Sequence, residues 1–565
     1  MFNSAAEKTV SKLILVGAPL ATLFIVTDTV TDPVNAPKLL ISGALGFSLF
    51  FVFLTFNLKE NFRVFRLFST TLLVFLLSAI NSMLQSDSPI SQQLYGTYGR
   101  NTGFVAYLVL CFIAAGCLNL REAKSFKSII HGFQFVGFIN VLYCAWVLVF
   151  GDFIKWSNPY GNILGLFGNP DFISAFLGIF IASLAAYSFT PGLSSTYRIS
   201  AFFVGLLAFY EAHRSHAIQG IAVTAVGLGI VLFYVLRDKF KSQLISFSYL
   251  GFFTILGFTA ILGSLQKGPF DFIYKRSVSL RGIYWNTAIK MAKEKPFSGV
   301  GLDSYGNWYR QARPLKALTD PGVNTTSNAA HNVPLDFLAN GGWPLFISYI
   351  ATVAFGAIAI LKISSRRKKY DGVFVTLAAS WVCYEIQSVI SINQIGLAIW
   401  GWLLTGALVS YEYSTRSIAS NDSEVKPKTS KAFKTQRAMV FSPHLIAGLG
   451  VVLGLFIACP PMAADSKWRG AMDSGDSNRA IQALNPSYLS PSDSTRYAQA
   501  VQIFANSKLF DQARQIALAA VKYNKNDYQS WRNLYFLSNS TAQEKAQALE
   551  NLKRLDPLNP DVTKQ

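Results

Sequence analysis

Residues 276–342 read RSVSLRGIYWNTAIKMAKEKPFSGVGLDSYGNWYRQARPLKALTDPGVNTTSNAAHNVPLDFLANGG, a polar, basic and aromatic-rich interruption between apolar runs. It carries Arg276, Arg281, Trp285, Pro296, the Gly299/Gly301 pair and the dipeptide His331-Asn332. The runs on either side, 245–264 and 342–361, are each of the length that crosses a bilayer, about 20 mostly apolar residues. A polar stretch hung between two spans is a loop at one membrane face. The fold class that follows is all-α, a polytopic membrane helix bundle.

Outward from this loop, apolar runs recur at 12–28, 39–56, 67–84, 103–119, 128–150, 171–189, 198–212, 217–236, 373–391, 394–411 and 442–460, which makes about thirteen spans in all. The run at 198–212 is the weakest, being short and ending in charge at Glu211 and Arg214. Composition agrees: 51% of the 565 residues are hydrophobic and 14% charged, with 46 Phe and 10 Trp, which a water-soluble protein of this size would hardly carry. The five cysteines, Cys111, Cys117, Cys144, Cys383 and Cys459, lack metal-ligand spacing and sit in or beside apolar runs, as small core residues do. The first run has no small-residue cleavage site and a second span follows quickly, so it reads as a retained helix.

The net charge of +20 raises nucleic acid as a partner. The positions of the charges exclude it. With the N-terminus cytoplasmic, the connections on that side, from Lys59 to the tract Arg416–Arg437, hold 21 basic residues, whereas the short loops opposite hold Lys38, Arg100, Lys155 and Arg214. Such an imbalance fixes orientation by the positive-inside rule. The expectation is a cell-membrane (inner or plasma membrane) protein. Its outer face holds the turns at 85–102, 150–170 and 212–217, the loop 265–341 and everything after 461. That loop carries ten Lys or Arg residues against five acids. Long loops escape the positive-inside rule, so the excess calls for another reason, and an anionic ligand is one.

Three outer turns contain unusual residues. Leu94-Tyr-Gly-Thr-Tyr-Gly-Arg100-Asn-Thr-Gly103 is open to two readings, an interfacial turn of glycine and tyrosine or a substrate-facing Arg100. Leu166-Phe-Gly-Asn-Pro-Asp171-Phe172 reads as the start of a helix, with Asp171 near its positive end. Glu211-Ala-His-Arg214-Ser-His216 keeps four ionisable groups at the membrane boundary, where each costs several kcal/mol unless paired or facing a polar cavity. A Glu211–Arg214 ion pair or snorkelling is one account, and Arg214 facing a substrate cavity is the favoured one.

Within the long loop, Leu280, Ile283, Tyr284, Ala288 and Met291 recur at near-helical spacing, predicting an amphipathic helix over 277–293 that Pro296 ends. Gly299-Val-Gly301-Leu-Asp-Ser-Tyr305 is a turn rather than a phosphate loop, because no strand precedes it. Residues 311–330 are rich in turn formers and read as flexible or acceptor-facing.

The run Arg281-x3-Trp285, then Lys295-Pro-Phe-x-Gly299-Val-Gly301-x3-Tyr305, then His331-Asn332 ahead of Gly341-Gly342-Trp343-Pro344, resembles the O-antigen ligase and polymerase superfamily. Gly96-x2-Gly99-Arg100, Phe167-Gly168-Asn169-Pro170 and His213-Arg214-Ser215 resemble its upstream signatures in order and spacing. The resemblance covers most of residues 1–411. It implies a membrane glycosyltransferase of the C type that moves a glycan from an undecaprenyl-diphosphate carrier to an acceptor hydroxyl, without metal ion or cofactor. It also implies that His331, Arg214 and Arg281 are the essential groups. Two positions depart from the family pattern: Arg214-Ser215-His216 replaces a small-residue run, and Asn340 stands where an acid is frequent, leaving Asp336 as the nearest carboxylate.

The chemistry of the residues is consistent with this. Displacing a lipid diphosphate from a sugar requires charge on the leaving phosphate to be stabilised, which arginine does through charge-assisted hydrogen bonds. No Asp-x-Asp or histidine cluster offers a metal site in the outer segments, so arginines take the role of the cation: Arg214 and Arg281 first, Arg276 and Arg100 as further candidates. The attacking hydroxyl loses a proton, which a histidine suits, and His331 is the expected base. The alternative is a structural histidine tying the loop to the helix below. Asn332, Trp285 and Gly342 are supporting residues.

Four parts are expected along the chain: the membrane domain 1–411, a Lys/Ser-rich cytoplasmic linker 412–441, a final span 442–460, and an extracytoplasmic domain 461–565. In the last, Ala498 to Ala520 and Trp531 to Leu555 suggest two helix pairs. Asp527 and Asp561 recur at the period of about 34 residues that tetratricopeptide repeats show. Two repeats are few for a free-standing array, so docking on the membrane domain or a degenerate repeat near 466–486 is expected, and a protein partner is a further expectation. Three subtypes stay open: ligase onto a lipid, polymerase onto a second lipid-linked glycan, and oligosaccharyltransferase onto protein. A transporter of the lipid-linked glycan is the alternative of another class, although the internal repeats that it predicts are not seen.

Overall fold

The computed structural model describes residues 3–158, 161–274, 276–416 and 441–563. The described residues form helices joined by turns, with one isolated two-residue bridge, Ser487 to Ser490, as the sole extended pairing among them. Every predicted apolar run coincides with a helix, although the first, 12–28, outruns Ser4–Leu23, and fewer than thirteen of these helices meet the requirements of a span. Among the described residues nine helices are long and apolar enough to cross a membrane, ten if the bent pair Pro443–Ala458 and Pro460–Ser474 counts as one span. The remainder have physical reasons for falling short. Phe104–Cys117 is only 14 residues long, about two-thirds of the usual length. Ser4–Leu23 begins with Glu7, Lys8 and Lys12, and Ser195–Arg214 starts polar and ends in Glu211, His213 and Arg214. The chain is a multi-pass membrane protein.

The core is built from Phe, Leu, Ile and Trp side chains, with Phe75 at its centre, edge-on to Tyr107, Phe337 and Trp402. Small residues bring helices together elsewhere. On Gly43 of Asn35–Val52, a Cβ would lie 2.7 Å from the Gly454 carbonyl oxygen of Pro443–Ala458. Without a hydrophobic driving force inside lipid, such close backbone approach is what holds helices in contact.

Polar contacts separate into two faces. On one, Arg121 donates to Asn61 and Ser410, Arg366 pairs with Glu412, and Arg237 donates to the Ser364 carbonyl. The other face carries the long loop. There Asn35 donates to the Gly99 carbonyl, Gln394 to Asn35, and the helices after residue 459 pack on these turns.

Those later helices form three consecutive pairs: Pro460–Ser474 with Ser477–Leu484, Ser494–Asn506 with Phe510–Tyr523, and Tyr528–Phe536 with Ala542–Leu555. They share a core of Trp468, Tyr497, Phe504, Ile516, Trp531 and Leu552. The first pair covers 466–486. Of the expected linker, residues 417–440 lie outside the described residues, and the helix Ile395–Ser414 reaches into its start.

Candidate active site

The long loop is an ordered assembly of two helices and a turn. Arg276–Glu294 buries Ile283, Thr287, Ala288, Met291 and Ala292 on one face. The chain then passes Pro296 and enters the glycine turn, where Gly299 and Gly301 have φ of 62° and 106°. This turn docks on a break in the next long helix, Val333–Arg366, whose only non-helical residue is Gly342, at φ 66° and ψ −167°. Val300 N–H donates to the Ala339 carbonyl (2.9 Å), Gly301 N–H to that of Asn340 (3.0 Å), and Trp343 N–H to that of Pro296 (2.8 Å). A Cβ on Gly342 would lie 2.4 Å from the Pro296 carbonyl oxygen, so the joint requires glycine. The break turns the first nine residues of the helix into a separate half-helix with His331-Asn332 at its N-terminus.

Asn332 fixes that end. Its side-chain oxygen accepts from Leu335 N–H at 2.9 Å, capping the helix, and its amide donates to the Val389 carbonyl at 2.8 Å, tying the cap to the neighbouring helix. His331 stands just before the cap in a left-handed conformation, φ 54°. Its ring lies 5.2 Å from that of Tyr284. Its Nδ1 is 3.3 Å from the Ala329 carbonyl oxygen, which can only accept, so Nδ1 carries the proton and Nε2 keeps its lone pair. Burial pushes the imidazole pKa down to about 4, with Arg281 and Arg100 lowering it further against the Ala329 hydrogen bond. The ring is therefore neutral at pH 7.

Two of the expected arginines thus act on His331. Arg100 is 7% exposed, donates to the Asn328 carbonyl and lies 3.5 Å from Asp303. Burial opposes its charge, and the Asp303 and Asp336 carboxylates outweigh that and raise its pKa. Asp303 in turn accepts from Thr97 N–H at 2.7 Å, closing the Gly96–Gly103 turn around the guanidinium. Arg281 is half-buried. Its Nε, like that of Arg100, is buried without a hydrogen-bond partner, as is Trp285 Nε1 one turn on, and Asp171 is the carboxylate that most supports its charge.

Arg214 and Arg276 stand further out. Arg214 ends Ser195–Arg214 with an exposed side chain, and its turn is held against Asp171, whose carbonyl accepts from Gln219. No ion pair joins it to Glu211 among the described residues; the Glu211 carboxylate is buried with both oxygens unpartnered. Arg276 is 66% exposed and pairs with Asp320 at 2.6 Å, away from the buried cluster. A cavity of about 530 Å³ is lined by Arg100 together with Asp32, Trp156, Asn169, Asn328 and Arg469.

Sequence reasoning did not assign Asp303, Asn328 or Tyr284. Asp303 follows the glycine turn directly, which was the available signal; Asn328 acts through its backbone and leaves no signal. Asp336 sits one turn into the half-helix, with one carboxylate oxygen accepting from Ala330 N–H at 2.7 Å and the other unpartnered. Asn340, standing where an acid is expected, accepts from Ser304 N–H instead. Among the described residues no group of three or more His, Cys, Asp or Glu is placed to hold a metal ion.

No curated protein matches the chain. Residues 199–350, the segment that contains Arg214, Arg281, Trp285, His331, Asn332 and Gly342, match the model of a family described as O-antigen ligase.

Proposed function

We propose that this protein transfers a glycan from an undecaprenyl-diphosphate carrier to an acceptor hydroxyl at the outer membrane-water boundary, with His331 as general base and arginines neutralising the leaving diphosphate. The observation that carries the reading is a neutral histidine with a free Nε2 in the field of two arginines, Arg281 and Arg100, each with a buried Nε that no hydrogen bond satisfies. A buried, unsatisfied guanidinium N–H is costly, and an anionic ligand offsets that cost.

In this mechanism the acceptor oxygen attacks the anomeric carbon as its proton passes to His331 Nε2. The bond from that carbon to the diphosphate oxygen breaks, and the electron pair leaves with the diphosphate. Arg281 hydrogen-bonds the developing charge, with Arg214 approaching from its exposed turn; Arg100 holds the loop at Asn328 and adds to the burial that keeps His331 neutral. Trp285 and the capped half-helix give the site its walls. Arg276 belongs to the entrance of the site. The donor lipid, whose polyprenyl chain lies in the bilayer, reaches the loop from there.

The test is transfer by purified variants. His331→Ala lowers kcat by about 10²–10⁴-fold, and Arg281→Ala by about 10²–10³-fold, with both proteins folded. Wild-type turnover by folded His331→Ala refutes the assignment of the base. The acceptor class, whether lipid, glycan or protein, is read from the product.

A further inference from the structure

Arg313 and Asp556 are 243 residues apart in sequence, and both side chains are 0% exposed. Arg313 Nη2 donates to the two carboxylate oxygens at 2.8 and 2.9 Å, and Arg310 adds a third hydrogen bond at 2.9 Å. Asn559 completes the shell at 3.1 Å, and the Arg310 guanidinium lies over the Tyr528 ring at 4.3 Å. The same two arginines donate to the Val323 carbonyl, at 2.8 and 3.3 Å. One carboxylate from the last helix pair thus fastens both the helix Tyr305–Ala312 and the segment leading to Asn328 and His331.

A second line of contacts reaches the same place. Asn524 donates to Gln92 at 3.3 Å, Gln92 donates to the Asp303 carbonyl at 2.9 Å, and the Asp303 side chain pairs with Arg100. Tyr98 N–H, two residues before Arg100, donates to Asp493 at 3.3 Å. Both lines end on the Arg100 guanidinium, one through Asn328 and one through Asp303.

A buried ion pair adds little net stability, because desolvation offsets attraction, but losing one member leaves the other charges uncompensated. What such a pair supplies is geometry. We infer that the C-terminal helical domain braces the transfer site within the same chain, with Asp556 a positioning residue that sets the loop carrying Asn328 and His331 against Arg100. The face of the helix pairs built from Tyr523, Asn524, Tyr528 and Asp556 is occupied by this chain's own outer segments, Ser91 and Gln92 against the first two and Arg310 and Arg313 against the others. This inference rests on the transferase reading above.

The experiment compares full-length wild type, Asp556→Asn and Asp556→Glu for donor KM, kcat and tryptic cleavage at Lys316, an exposed site within the fastened loop. Asp556→Asn lowers kcat by about tenfold to a hundredfold, leaves donor KM within about threefold, and speeds cleavage at Lys316 several-fold. Asp556→Glu, which keeps the charge, recovers part of kcat. Arg310→Gln, at the 13% exposed rim of the cluster, gives a smaller loss and decides the matter if Asp556→Asn does not fold. Folded variants with wild-type kcat and wild-type cleavage overturn the brace. Faster cleavage in a protein whose wild type transfers nothing keeps the brace and removes the transferase reading.

Discussion

At the scale of single residues, the account turns on why His331 is neutral. Its folded pKa lies below the ordinary histidine value, chiefly through burial, so the base form is complete above the ordinary value and is lost only as pH falls through about 4. In kcat/KM, which reports the free enzyme, the acidic limb belonging to His331 is therefore expected well below pH 6. A limb centred near 6.5, moving when His331 is replaced, contradicts the environment described. His331 was legible as a candidate because His-Asn stands alone in a polar loop. Its partners were not: Tyr284 looked like one apolar position of an amphipathic helix, and Asp303 like part of a turn. Arg276 was as conspicuous in sequence as Arg281; the difference between them is that Asp320 satisfies Arg276 at the surface, while half-buried Arg281 keeps a buried Nε without a hydrogen bond.

At the scale of elements, the decisive joint is between the glycine turn and the broken helix. Replacing Gly342 with Ala forces a Cβ against the Pro296 carbonyl in a conformation essentially confined to glycine. A destabilisation of about 1–3 kcal/mol is expected, read as a lowered thermal midpoint in detergent, with transfer falling alongside. An unchanged midpoint shows that the joint does not hold the half-helix. The double glycine was visible in sequence as the end of the loop, but its role was not, because a Gly-Gly before Trp-Pro reads equally as the start of a span. The same applies to 311–330, read as flexible: Arg310 and Arg313 hold it through Val323, and the residue that fixes those arginines comes from more than two hundred positions away. Periodicity located helices well because apolar faces announce themselves. By length and apolar content alone nine or ten of the described helices qualify as spans, and the orientation drawn from the lysines and arginines counts the three shorter or more polar helices as crossings too.

At the scale of the whole molecule, the lysine and arginine distribution gives an orientation that can be measured. Single cysteines introduced at Lys316 and Glu550 are expected to react with a membrane-impermeant reagent from the outside of intact cells, and one at Lys368 only after permeabilisation. Labelling in the reverse order overturns the topology and, with it, the outer-face chemistry. The long loop, three short turns and the C-terminal helix pairs all meet on one face, so a single orientation places every candidate group together. The most direct measurement is transfer itself. Purified protein is incubated with undecaprenyl-diphosphate glycan and a panel of lipid, glycan and protein acceptors under chelation, and the products are identified by mass spectrometry for wild type and His331→Ala. The account predicts glycan joined to one acceptor class by the wild type, and about 10²–10⁴-fold slower transfer by folded His331→Ala. No transfer to any acceptor, with intact carrier crossing liposome membranes instead, contradicts it.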